Sequence, residues 1–98
     1  MTRQVTLLVN GTPIPLDYFA QSFIDHVVGA MLEALEGTGQ IQTVNLGIKR
    51  DAVQVNLNGA VVPINPFVSK IIRNTTAGMV SSLKKVGEID TLDINIKR

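Results

Sequence analysis

The chain reads as an α+β domain built from two tandem (β)βαβ units with pseudo-twofold symmetry. Two helices are expected on one face of a mixed or antiparallel sheet, as a ferredoxin-like β-α-β-β-α-β sandwich or a six-stranded variant of it. Three observations predict this. Residues 5–50 align without a gap on residues 53–98, with identities such as Asn10/Asn58, Gly11/Gly59, Pro15/Pro63, Phe19/Phe67, Met31/Met79 and Thr43/Thr91. A repeat of this length is one supersecondary unit whose copies bury each other's apolar faces. Each copy opens and closes with apolar residues at alternate positions, and between them lies a stretch with helical spacing. The 98 residues therefore form a single domain, 1–98, of two repeats.

Each unit opens on a half-buried strand: Val5, Leu7 and Val9 share one face, and Val53, Val55 and Leu57 share the matching one. Asn-Gly follows at 10–11 and 58–59. A type I′ turn needs positive φ at both central residues, which Asn and Gly accept at least cost. A short return strand is expected at 12–16 and 60–64. Pro15 and Pro63 lack the backbone donor, so this strand belongs at a sheet edge or does not pair at all. If it pairs, the simple ferredoxin-like order is excluded, because there the opening strand already has two neighbours. One order that remains runs outward from a central pair of closing strands.

The helices come next. Asp17 and Asn65 are N-cap residues, and Pro66 occupies the first helical position. Phe19, Phe23, Ile24, Val27, Met31 and Leu35 form an apolar stripe, and Phe67, Ile71, Ile72, Met79 and Leu83 keep its phase. Phe19 and Phe67 are expected to be buried against the opening strand of their own unit. Gly37 or Gly39, and Gly87, are natural stops. The closing strands set Val44, Leu46 and Ile48 against Leu92, Ile94 and Ile96, with a polar opposite face, so the helices should cover one side only. Arg50-Asp51-Ala52 leaves room for nothing but a tight reversal.

Composition excludes several classes of function. There is no cysteine and one histidine, so a structural zinc site and thiolate chemistry are not expected. Neither a metal nor a cofactor is expected. A net charge of +1 gives no general attraction to nucleic acid or acidic lipid. No apolar run is long enough for a membrane span. Met-Thr-Arg-Gln leads directly into a strand with no signal-peptide pattern, and a cytoplasmic location is expected. Gly37-Thr38-Gly39 follows a helix rather than opening one, the wrong polarity for a phosphate loop. No catalytic motif is present, and His26 stands beside Asp25 on a helix, where adjacent side chains do not face each other.

Charge distribution carries the functional expectation. The first helix holds Asp17, Asp25, Glu33 and Glu36 and no base; the second holds Lys70, Arg73, Lys84 and Lys85 and no acid. Asp25 and Arg73 are equivalent in the repeat. Two solvated faces would account for this. The alternative is that opposite charge sets a pairing, within the chain or between molecules, with Asp25 close to Arg73. The favoured function is a non-enzymatic binding module with a protein partner or a second copy, with Asp25, Glu33, Lys70, Arg73, Lys84, Asn74 and Thr75 as interaction residues.

Two other readings stand beside it. Thr75 falls at the centre of the second apolar stripe and Ser82 faces inward, so a polar pocket near Asn74 and Thr75 could serve a ligand-binding protein or an enzyme. The lysines of the second helix could meet nucleic acid. The near-zero net charge and the absence of aromatics on the wet sheet face argue against that. Mid-helix Gly29 and Gly78 point to close approach of a neighbouring backbone.

The stretch Val61-Val62-Pro63-Ile64-Asn65-Pro66-Phe67-Val68, with Ile72, Asn74-Thr75, Gly78-Met79-Val80 and Ser81-Ser82-Leu83-Lys84, resembles a C-terminal extension of molybdopterin-guanine dinucleotide biosynthesis protein B sequences. The resemblance covers about half the chain. It implies an accessory module near molybdenum-cofactor assembly. It carries over no functional residues, because the family's phosphate-binding loop has no counterpart here.

Overall fold

The structure is a computed structural model that describes residues 4–36, 41–50, 52–82 and 88–98. Along the chain run β1 (Gln4–Val9), β2 (Thr12–Ile14), α1 (Tyr18–Glu36), β3 (Thr43–Lys49), β4 (Ala52–Leu57), β5 (Ala60–Val61), α2 (Pro66–Ser81) and β6 (Thr91–Lys97). The strands form one six-stranded sheet in the order β2-β1-β6-β3-β4-β5, antiparallel at every pairing. This is the six-stranded variant, with the closing strands β3 and β6 at its centre. The return strands do pair, at the two edges. They end before Pro15 and Pro63, whose missing N–H groups close the ladder there.

Pairing follows the offset of the repeat. Leu46 pairs with Ile94, its own equivalent (46 + 48 = 94), and Thr43↔Lys97 and Lys49↔Thr91 are equivalent pairs on either side. The outer ladders agree as well: Val9↔Leu92 matches Leu57↔Val44. Register is fixed because one face is buried, and a slip of one residue would turn every apolar side chain to water. That face holds Leu7, Leu46, Val55, Leu92, Ile94 and Ile96, each almost fully buried. It forms one cluster with Ile24, Val28 and Leu32 of α1 and Ile72 and Val80 of α2, so both helices lie on the same side.

Both hairpins have the expected left-handed residues, Asn10 (φ 52°) and Gly11 (80°), Asn58 (51°) and Gly59 (85°). Their asparagines do more than turn the chain. Asn10 Oδ1 accepts from the amides of Asp90 (2.7 Å) and Thr91 (2.9 Å), and its Nδ2 donates to the Glu88 carbonyl (2.8 Å). Asn58 Oδ1 accepts from the amides of Gln42 (2.8 Å) and Thr43 (3.0 Å). Each hairpin therefore holds the entry to the closing strand of the other unit. The N-caps are also as expected: Asp17 Oδ1 accepts from Ala20 N at 2.7 Å, and Asn65 Oδ1 from Val68 N at 2.8 Å.

The helices are rotated from the expected phase. The residues of α1 that meet the sheet are Ile24, Val28 and Leu32, and those of α2 are Ile72, Thr76 and Val80. Phe19 and Phe67, expected in the core, are 73% and 70% exposed. Thr75, expected at the centre of the buried stripe, is exposed, and Thr76 takes the inward place. Ser82 is exposed too, its hydroxyl donating to the Gly78 carbonyl at 3.1 Å. On α1 the physical reason lies at residue 25. A helical wheel treats Asp25 as a mark of the solvent side, yet its carboxylate is buried under α1 on an ion pair. Turning the helix to bury it lifts the Phe19-Phe23 ridge out of the core. Leu83 and the glycines at 37, 39 and 87 lie outside the described residues.

Candidate functional site

Two features of the helical layer could carry function: a buried ion pair on its sheet side and an apolar cleft on its outer side. The ion pair joins Asp25, 1% exposed, to Arg98. The Arg98 Nε donates to Asp25 Oδ1 at 2.8 Å, and its Nη2 donates to the Asp25 carbonyl at 3.4 Å. The guanidinium crosses α1 at Gly29, where an added Cβ would stand 2.5 Å from Arg98 Nη2. The neighbour that Gly29 admits is therefore a side chain, where a backbone was expected. Asp25 takes its cation from the end of β6 and not from Arg73, the expected partner; Arg73 is half-buried on α2, one of whose inner residues is Val80. A buried ion pair adds little net stability over apolar side chains of the same volume, but removing one partner strands the other charge.

The cleft opens between the N-terminal half of α1 and the C-terminal half of α2. It encloses about 550 Å³ and is lined by Phe19, Ala20, Phe23 and Val27 on one side and Thr75, Met79 and Ser82 on the other, with Asp17 at its end. The Phe19 and Phe23 rings stack with centroids 6.0 Å apart and planes at 21°. They are 73% and 48% exposed, and on α2 Phe67 and Ile71 are 70% and 43% exposed. The repeat thus sets an aromatic or aliphatic pair at the same two positions of each helix, 19 and 23 against 67 and 71, and leaves both pairs in water.

The chemistry available in the cleft is limited. Asp17 is occupied as the cap of α1, and Ser82 is turned to its own helix. Thr75 contributes the polar wall. Asn74 is exposed and does not line the cleft, and His26 is exposed on α1. The expected polar pocket at Asn74 and Thr75 is therefore an apolar cleft with Thr75 on its wall. Among the described residues, no three of His, Cys, Asp and Glu come together as a metal site would need. Glu33 and Lys70 are exposed on α1 and α2; Lys84 lies outside the described residues. The Thr76 hydroxyl, fully buried, has no hydrogen-bond partner among the described residues, which is unusual for a buried polar group.

Arg98, which the sequence offers only as one of the strand-end bases Lys49, Arg50, Lys97 and Arg98 that could meet phosphate beside the second helix, is the side chain that pairs with Asp25. The sequence held only part of the signal: a glycine one turn from Asp25 and a terminal arginine in each repeat, with Asp25 itself falling on the polar side of the wheel. Gln21 was missed as well. It bridges α1 to the sheet, accepting from Val5 N at 3.4 Å and donating to the Leu16 carbonyl at 3.2 Å.

No protein-family model, no curated protein and no solved structure matches the chain. Nothing among these comparisons bears on a relationship to molybdopterin-guanine dinucleotide biosynthesis protein B. Among the described residues no helix is long and apolar enough to cross a membrane.

Proposed function

We propose that the chain is a non-enzymatic interaction module that docks onto a polypeptide surface through the outer side of its helical layer. One observation carries this reading: Phe19 and Phe67, equivalent residues of the two units, are 73% and 70% exposed. Lone surface hydrophobics are ordinary, but a contiguous apolar patch marks an interaction site. Here Phe19 and Phe23 wall the cleft, and Phe67 and Ile71 stand exposed at the equivalent positions of α2. The opposite face of the sheet is polar, carrying Gln54, Asn45 and Asn95, with the Asn45 amide donating to Asn95. Apolar walls, with the Ser82 hydroxyl and the Asp17 carboxylate bonded to their own helices, suit packing rather than catalysis.

Two measurements test it. Phe67→Ala is expected to lower the unfolding free energy by less than about 1 kcal/mol, since little burial is lost. Ile72→Ala, one turn further along and buried, is expected to cost about 2–5 kcal/mol. Equal losses in urea melts would place Phe67 in the core and end the reading. A photoreactive benzoylphenylalanine at position 67 should cross-link a polypeptide of discrete mass in cells producing the chain, and the same group at Gln54 should not. Absence of product from position 67 overturns the proposal.

A further inference from the structure

The geometry points to a second copy of this chain as the occupant of the helical layer, with α1 of each protomer lying over α2 of the other. This rests on the docking reading above and names its partner. The first support is area. Four side chains exposed by 73, 48, 70 and 43%, each worth roughly 150–250 Å² in full, leave on the order of 400–500 Å² of apolar surface on this layer. That is about half of the ~800 Å² per partner in a stable interface, and the polar shoulders of the helices supply the remainder.

The second support is Gly78. It sits exposed inside α2, and an added Cβ would meet nothing within 4 Å. A mid-helix glycine costs ~1 kcal/mol against alanine. At Gly29 that cost is explained by Arg98; at Gly78 nothing within the described chain explains it. Its equivalent in α1 is Ala30, also exposed and small (30 + 48 = 78). By helical spacing these two residues crown the outer face of each helix between the protruding rings. They let a second helical layer come close.

Charge selects between the two ways of stacking such layers. The cleft sets the N-terminal half of α1 against the C-terminal half of α2, and the β3–β6 register is symmetric about Leu46↔Ile94, so the helices run antiparallel, with residues whose numbers sum to about 102 at one height. At that spacing Glu33 and Lys70 stand at the same height, each on the shoulder turned away from the neighbouring helix, and both are exposed. Within one chain they lie on opposite flanks. Rotation about an axis along the groove keeps every residue at its height and exchanges the flanks, so Glu33 meets the partner's Lys70, twice per dimer. Phe19 then covers the rim of the partner's cleft near the partner's Ser82. Rotation about an axis across the groove instead lays acidic α1 on the partner's α1 and basic α2 on its α2. Exposed charges of this kind add little affinity but fix register and reject the wrong pairing.

Sedimentation equilibrium of the purified chain tests the proposal. A dimer is expected at micromolar concentration, and Phe67→Ser should weaken it ~100-fold while far-UV circular dichroism, and the urea midpoint taken at concentrations too low for the dimer to form, stay in place. Glu33→Lys and Lys70→Glu should each weaken it roughly tenfold, since each places like charges together at two sites. Glu33→Lys with Lys70→Glu should recover most of that loss, and this arm stands even if Phe67→Ser fails to fold. A monomer at every concentration up to ~1 mM overturns the second copy. The docking reading is then decided separately by the mass of the product cross-linked in cells. A dimer whose double reversal is weaker than either single one overturns the α1-over-α2 arrangement.

Discussion

The two halves of the chain end in the same tripeptide, Ile-Lys-Arg, and use its arginine differently. The backbones are treated alike: Arg50 N donates to the Asp90 carbonyl at 2.9 Å, and Arg98 N to the Gln42 carbonyl at 2.8 Å, where 42 and 90 are equivalent. The side chains part company. Arg98 turns under α1 to the buried Asp25, whereas the residue equivalent to Asp25 in α2 is Arg73, and Arg50 is exposed in a left-handed turn (φ 57°). The two halves thus share the hydrogen-bonded frame and differ in the chemistry laid over it. The frame depends on period and turn type, which many sequences satisfy. An ion pair depends on two particular residues, and one replacement removes it.

The largest difference between the halves should appear at these arginines. Arg98→Ala strips the guanidinium from a carboxylate that is almost fully buried, and a loss of about 3 kcal/mol is expected. Arg50→Ala should fall within about 0.5 kcal/mol of the parent, as for an ordinary surface position. Arg98→Lys should recover only part of the loss, because an ammonium cannot reproduce the two-point contact with the Asp25 carboxylate and carbonyl. Urea melts of the three variants decide it. Equal effects at 50 and 98 would mean that the arginines are equivalent after all.

The sheet was legible in the sequence and the rotation of the helices was not, and the difference is physical. A strand offers two faces, so alternation at 44–48 and 92–96 admits one answer, and Asn-Gly admits essentially one hairpin. A helix offers a continuum. On α1 the apolar residues cover more than half the circumference, from Phe19 round to Leu32, and an apolar arc that wide does not say which edge meets the sheet. Asp25 would ordinarily break the tie, and here it breaks it the wrong way, because Arg98 lies 73 positions along the chain and brings the carboxylate inside. Thr76 misleads in the same manner on α2. The apolar cleft follows from that rotation, so neither its walls nor the exposure of Phe19 and Phe67 could be read from spacing alone. The strand order was legible only as one of several options, since nothing local says which strands become neighbours at the centre.

Where the halves do agree, equal effects are expected. Asn10→Gly and Asn58→Gly keep the left-handed turn available and delete the side-chain clamp on the opposite unit. Each should cost at least about 1–2 kcal/mol, the net worth of the two hydrogen bonds to backbone amides that both asparagines make. The amides of Asp90 and Thr91 should exchange faster with solvent in the first variant, and those of Gln42 and Thr43 in the second. A loss at one site alone would show that the clamp is used by only one half.

The smallest effects should come from the two mid-helix glycines, and they should differ in sign. Gly78→Ala adds a methyl group in open space and removes backbone freedom from the unfolded chain, so a gain of about 0.5–1 kcal/mol is expected in dilute solution. Gly29→Ala earns the same propensity but drives its Cβ into the Arg98 guanidinium, and a net loss of about 1 kcal/mol is expected as the ion pair gives way. The cause can be isolated. In an Arg98→Ala background the obstruction is gone, so Gly29→Ala should change sign and behave like Gly78→Ala. The coupling energy between positions 29 and 98 is then about the difference between the two glycines, 1.5–2 kcal/mol, which a double-mutant cycle in urea resolves. A coupling near zero would mean that Gly29 is not kept small by Arg98, and the proposed asymmetry of the halves would reduce to the pairing of Arg98 with Asp25.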